Sequence, residues 1–129
     1  MNKRCGEIII APDIDVWPHE LKTAQALASA GYKVEFLKRK MDKHERSADI
    51  SIDGVIWEMK SPKSNKLKRV ERTLRDALHQ SPYVIFDSQR VKSLNDGQIQ
   101  RELKRWAIEL KSMKGLIFVT KKRSVFVMK

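Results

Sequence analysis

The tightest constraint on what this chain can fold into is a dipeptide. Asp53-Gly54 lies between two short segments of alternating polarity, 48–52 and 55–60. Both central positions of a two-residue β-hairpin turn need positive φ, which Asp tolerates and Gly adopts freely, so a reversal is predicted there. A reversal at that point fixes every pairing outward from it: Ile52 faces Val55, and Asp49 faces Glu58. Residues directly opposite sit about 4.5–5.5 Å apart at Cβ and share a face. Lys60, two residues beyond Glu58, joins that face through the period of 2. Ile50, Ile52, Val55, Trp57 and Met59 take the other. The hairpin thus has an apolar face and a face with two acids and an amine. Asp53, the competing acid, is assigned to the turn for backbone reasons.

Like charges held opposite each other cost a sheet a few tenths to about 1 kcal/mol. Two carboxylates at that spacing, with the Met59 carbonyl nearby, offer hard oxygen ligands suited to Mg²⁺ or Mn²⁺, with Zn²⁺ as an alternative. A divalent ion there relieves the repulsion, polarises a phosphodiester and lowers the pKa of a bound water. An ammonium such as that of Lys60 orients the water or stabilises charge on the pentacoordinate phosphate. The competing reading is a solvated hairpin face with a Glu/Lys pair. The register-matched set of three, running into Ser61-Pro62, favours the chemical one. His19, His44, His79 and the single Cys5 lack the spacing of a zinc site, and no Gly-rich loop supports a nucleotide cofactor.

Charge points the same way. The 129 residues hold 27 Lys+Arg against 16 Asp+Glu, a net +11, which implies a polyanionic partner and most often nucleic acid. The length suits one domain over residues 1–129. No apolar run approaches the roughly 20 residues of a spanning helix, so no membrane partner is expected.

Along the chain, 7–11 reads as a short strand, and a helix runs from Pro18 to the stop at Gly31, with Leu21, Ala24, Leu27 and Ala28 at helical spacing. Glu20 stands at the edge of that stripe, favourable to the helix dipole by residue type alone, and His19 reads as an exposed histidine or a phosphate contact. A strand over 32–37 and a charged connection over 38–47 precede the hairpin. Ser64 or Asn65 caps a second helix running to His79, with Leu67, Val70, Leu74 and Leu78 inward and a basic outer surface. Lys63, Lys66, Arg69, Arg72 and Arg75 supply that surface, and because it begins beside the acids it is expected to bind backbone phosphates. A buried strand over 82–87 follows, so the crossover is parallel and right-handed. Asn95 or Asp96 caps a third helix that ends before Gly115, and 116–120 with 124–128 form a last hairpin around Lys121-Lys122-Arg123. Trp57 and Trp106 fall in apolar stripes; Trp17 is open to either core or base stacking. The expected fold is α/β: a single-domain α/β sandwich with a mixed central sheet flanked by helices.

Asp49, eight intervening residues and Glu58-Met59-Lys60 resemble the signature of the PD-(D/E)XK nuclease superfamily, with Ala48 where the superfamily has proline. The wider pattern is similar to a narrower group. It comprises Pro18-His19-Glu20, Ala30-Gly31-Tyr32, Ala48-Asp49, Trp57 to Pro62, and Gln80-Ser81 before Tyr83 to Asp87. That group is the tRNA-nuclease C-terminal domains of contact-dependent growth-inhibition (CdiA-type) toxins, and the likeness covers roughly 15–129. The resemblance implies the same sandwich fold and a metal-dependent endoribonuclease that cleaves tRNA in the cytoplasm of a target bacterium. It implies a larger secreted or cell-surface polypeptide around the domain, and a cognate immunity protein, which electrostatics favours as acidic. It also implies that Asp49 and Glu58 ligate the metal, that Glu20 holds the metal or its water, and that Gln80 and Arg90 occupy polar positions shared with those toxins, Gln80 being counted with the nucleic-acid-binding residues. Two alternatives stand beside this reading: a DNA endonuclease of the same superfamily, and a basic nucleic-acid-binding module without catalysis.

Overall fold

The alternation of the hairpin extends into a sheet whose two faces are both covered. The structure, a computed structural model, describes residues 6–38 and 49–129. Cys5, His44, Ala48 and nearly all of the charged connection expected at 38–47 lie outside the described residues. In chain order the elements are β1 (Ile8–Ile9), α1 (Pro18–Ser29), β2 (Val34–Phe36), β3 (Asp49–Ile52) and β4 (Val55–Lys60). Then come α2 (Arg69–Leu78), β5 (Tyr83–Asp87), α3 (Asp96–Glu109), β6 (Gly115–Val119) and β7 (Val125–Val127). The strands form one mixed sheet in sequence order, β1 to β7. β1–β2, β4–β5 and β5–β6 are parallel, whereas β2–β3, β3–β4 and β6–β7 are antiparallel. The expected mixed α/β fold is the observed one.

Each parallel step is bridged by a helix, as a crossover requires. On β5, Val84 and Phe86 face α2 and α3, joining Val70, Leu74, Ile99, Leu103, Leu116 and Phe118 in one buried cluster. Ile85 faces the other way, into a cluster with Ala24 and Leu27 of α1 and with Val34, Phe36, Ile50, Ile52, Met59 and Ile117. The central strands are therefore apolar on both faces, the usual pattern of parallel strands under helical layers.

Local chemistry ends α1 and α3 much as the residues predict. Pro18 opens α1, and Gly31, at φ 101°, takes the left-handed position after it. Asn95 caps α3 through a reciprocal pair: Gln98 N–H donates to Asn95 Oδ1 at 2.8 Å, and Asn95 N–H to Gln98 Oε1 at 3.1 Å. The helical spacing continues to Met113, yet α3 stops at Glu109 because Leu110 turns to an extended conformation. Leu110 and Met113 stay buried, and the shortened helix lets Lys114 N–H bond the Pro82 carbonyl at 2.8 Å at the entry to β6.

The second helix departs further from expectation. Asn65 does not cap it. Its Oδ1 accepts the backbone N–H groups of Lys92 and Ser93 at 3.1 and 3.2 Å, tying the loop after β4 to the loop after β5. A tertiary bond thus takes the side chain that local propensity assigns to the helix start, and α2 begins only at Arg69.

Close approach decides one glycine. Trp57 and Tyr83 pack with ring centroids 5.1 Å apart, over Gly115, where an added Cβ would lie 2.7 Å from Tyr83 and 2.9 Å from Trp57. Gly115→Ala is expected to lower stability by about 1–3 kcal/mol through overpacking. A fall in the urea midpoint at unchanged m-value is the measurement that checks it.

Candidate active site

The turn at Asp53 (φ 51°) and Gly54 (φ 81°) has both residues in the left-handed region, as a two-residue turn of this kind needs. The register follows from it: Ile52 opposite Val55, Ile50 opposite Trp57, and Asp49 opposite Glu58. Glu58 pairs in turn with Val84, and Lys60 with Phe86. Asp49, Glu58 and Lys60 thus share the sheet face that α2 and α3 cover. Glu58 is 1% exposed, whereas Asp49 and Lys60 are half-buried.

All three stand near the carboxyl end of β4, beside the carboxyl end of β5. In open sheets of this kind that end is where strands stop and loops bring polar groups together. Arg90 Nε donates to the Ser61 carbonyl at 2.8 Å, joining the two exits, and Ser61 Oγ is buried with no hydrogen-bond partner among the described residues. Pro62, Ser64, Lys66 and Arg69 line one recess there with Val91 and Leu94.

Glu20 approaches the same end of the sheet from the other layer. It is 4% exposed in the first turn of α1, the helix that covers the opposite face, and its Oε1 accepts the Trp17 N–H at 2.9 Å. Trp17 is exposed and packs edge-on against His19, with centroids 5.5 Å apart. Among the described residues no three His, Cys, Asp or Glu side chains close into one metal-binding group. The carboxylates that the strand register sets directly opposite each other are Asp49 and Glu58, while Glu20 belongs to the first turn of α1. Two hard carboxylate oxygens donors with an amine alongside still fit a hydrated Mg²⁺ or Mn²⁺, ions that keep several waters and need few protein ligands.

The basic residues divide. Lys63 and Lys66 lie in the loop before α2 instead of on a helix, Arg69 opens α2, and all three are exposed near the acidic pair. Arg72 is exposed one turn further along. Arg75 pairs with Glu71 at 2.8 Å and lies 5.9 Å from the Trp106 ring on α3, so it serves the contact between helices. Gln80 is exposed beyond the carboxyl end of α2, before β5 begins, at the end of the sheet opposite Lys60.

One cluster escaped the sequence reading altogether. Asp87, fully buried at the end of β5, receives five hydrogen bonds. Arg123 donates from Nη1 to Oδ1 at 3.0 Å and from Nη2 to Oδ2 at 2.8 Å. Thr23 donates to Oδ2 at 2.6 Å, and Gln89 supplies its backbone N–H and its Nε2, each at 2.9 Å. These donors come from α1, the loop after β5 and the β6–β7 turn. The only sequence signal was an aspartate ending an apolar strand, and nothing in spacing links it to an arginine 36 residues away.

The family model for the contact-dependent growth inhibition CdiA C-terminal domain matches residues 46–125, a span that holds Asp49, Glu58, Lys60, Asp87 and Arg123 but not α1. Among solved structures, the chain is similar to one in the CdiA-CT/CdiI toxin and immunity complex from Burkholderia pseudomallei. The two are 14% identical, with 96% of each chain covered and a TM-score of 0.63, a likeness of fold. No curated protein matches.

Removing Asp87 leaves a half-buried guanidinium and three further donors without their acceptor. Asp87→Ala is expected to cost about 3 kcal/mol of stability, the usual scale for breaking a buried pair by deleting one partner. Thermal unfolding followed by circular dichroism checks this, and a change within about 0.5 kcal/mol, as for an ordinary surface substitution, would contradict it.

Proposed function

Because this chain belongs to the contact-dependent growth inhibition CdiA C-terminal domain family, and so is a toxin domain of interbacterial competition, we propose that it is a metal-dependent endoribonuclease that cleaves tRNA. Toxin domains of this family are usually nucleases. The observation that carries the reading is the pairing of Asp49 directly opposite Glu58, with Lys60 on the same face at the carboxyl end of β4. A buried glutamate set against an aspartate is poor economy for a sheet and good preparation for a cation.

In this reading Asp49 and Glu58 hold a divalent ion, Mg²⁺ or Mn²⁺, with help from the Met59 carbonyl. When bound, the ion supplies Lewis acidity at a phosphodiester and lowers the pKa of water. Glu20, launched from α1 at the same end of the sheet, orients a water and does not ligate directly. Lys60 holds the attacking water or balances charge as it develops on the phosphate oxygens. Lys63, Lys66, Arg69 and Arg72 bind the backbone on either side of the scissile bond. Arg75 and Gln80 take no part in it, given their places at the α3 contact and at the far end of the sheet.

The solved relative from Burkholderia pseudomallei is a chain of a toxin and immunity complex. By that likeness we assign this toxin a cognate immunity protein, and the net +11 of the chain favours an acidic one, since opposite charge speeds capture. The C-terminal domain of a CdiA protein is part of a larger secreted polypeptide. Action on tRNA places the working site of the domain in the target-cell cytoplasm.

Expression in bacteria of the wild type beside Glu58→Ala, followed by a gel of small RNAs, tests the reading. Growth arrest with shortened tRNA in the wild type alone is the expected result. Intact RNA with nicked plasmid would move the substrate to DNA, and RNA retention that survives EDTA without any product would reduce the domain to a binding module. For the basic surface, Lys66→Ala and Arg69→Ala are each expected to weaken RNA binding in EDTA and to lower the slope of log K against log salt by about one unit. An unchanged slope in both would remove these residues from the interface.

A further inference from the structure

The Asp87 cluster reaches beyond the pair that forms it. Gln89 Nε2 also donates to the His19 carbonyl at 2.9 Å, and Arg123 Nη2 to the Lys22 carbonyl at 3.2 Å. With the Thr23 hydroxyl on Asp87, α1 is gripped at residues 19, 22 and 23. Those grips bracket Glu20. We infer that the Asp87–Arg123 ion pair, with Gln89 and Thr23, is a positioning unit that sets where the first turn of α1, and Glu20 with it, stands over the carboxyl ends of β4 and β5.

Three features separate this from ordinary core filling. The donors are used to saturation: each Nη of Arg123 makes two bonds, to Asp87 and to a backbone carbonyl of Thr120 or Lys22. Arg123 takes φ 67° in the turn between β6 and β7, a conformation that costs an L residue energy, and its guanidinium reaches α1 at the Lys22 carbonyl. The same volume filled by apolar side chains commonly serves stability as well or better, so an ionic cluster with fixed directions is suited to setting geometry. Directional bonds to helix carbonyls fix rotation and height of a turn; apolar contact fixes neither so closely. Bearing on catalysis, the inference rests on the role proposed for Glu20.

Amide hydrogen exchange by NMR on wild type, Gln89→Leu and Thr23→Val reads the grip without reference to activity. The amides of Leu21 to Ala24 are expected to exchange about tenfold faster in both variants, while those of β5 and β6 keep their protection. Unchanged exchange at 21–24, or a uniform acceleration through the sheet, overturns the inference whether or not the protein cuts RNA. Kinetics then ask whether the grip acts through Glu20. Gln89→Leu is expected to lower kcat by about tenfold with KM held within about twofold, and to cost nothing further in a Glu20→Gln background. Equal losses in both backgrounds would show that Gln89 does not work through Glu20. Failure of the wild type to cut any nucleic acid counts against the nuclease reading alone, and exchange still decides the grip.

Discussion

The β3–β4 pairing governs the rest of this molecule. A turn with two residues at positive φ leaves a single register open, and that register sets the polarity of both faces for every strand added afterwards. Slipped by one residue against β4, β3 would turn Ile50 and Ile52 toward α2 and α3 and carry Asp49 to the face away from Glu58. The burial of Ile50 and Ile52 beside Met59 therefore enforces the same choice that the turn makes. Two independent forces, turn geometry and apolar burial, agree on where Asp49 and Glu58 go.

That agreement is costly at one point. Glu58 is buried on the helix-covered face, in a row with Val84, and opposite a second acid. A carboxylate taken out of water must be compensated by partners, because burial penalises its charged form. Asp87, the buried acid that ends β5, is compensated by five donors from three segments. Glu58 and Asp87 lie on opposite faces near the same end of the sheet. Asp87 is locked into the scaffold by those bonds, and Glu58 stands opposite Asp49 on the strand that also carries Lys60.

Charge is distributed to match. Lys63, Lys66 and Arg69 gather where the loop after β4 meets the start of α2, and Asn65 and Arg90 hold that loop to its neighbour after β5. The positive surface nearest the acids is thus braced at two points. Arg75 belongs to a different task, stacking against Trp106 where α2 meets α3.

How much of this was legible in the sequence depends on the range of the force involved. Short-range signals held: Asp53-Gly54 fixed the register, Pro18 and Gly31 bounded α1, and Asn95 with Gln98 started α3. Alternation and helical spacing gave the mixed α/β fold and both core faces. Long-range bonds were invisible. Nothing local told that Asn65 would abandon a helix start to hold Lys92 and Ser93, or that α3 would end at Glu109 with its apolar spacing unfinished. Glu20 was read correctly as a first-turn acid, but its layer, opposite the face of Asp49 and Glu58, came only from the packing of α1. The Asp87–Arg123 pair joins residues with no shared period, turn or cap, so only the closed sheet could bring them together. By itself the sequence determined the hairpin, its two acids and the basic character of the domain. Tertiary structure decided which of the other charged groups reach that end of the sheet, because their positions depend on how helices seat on a twisted sheet and not on any local backbone preference.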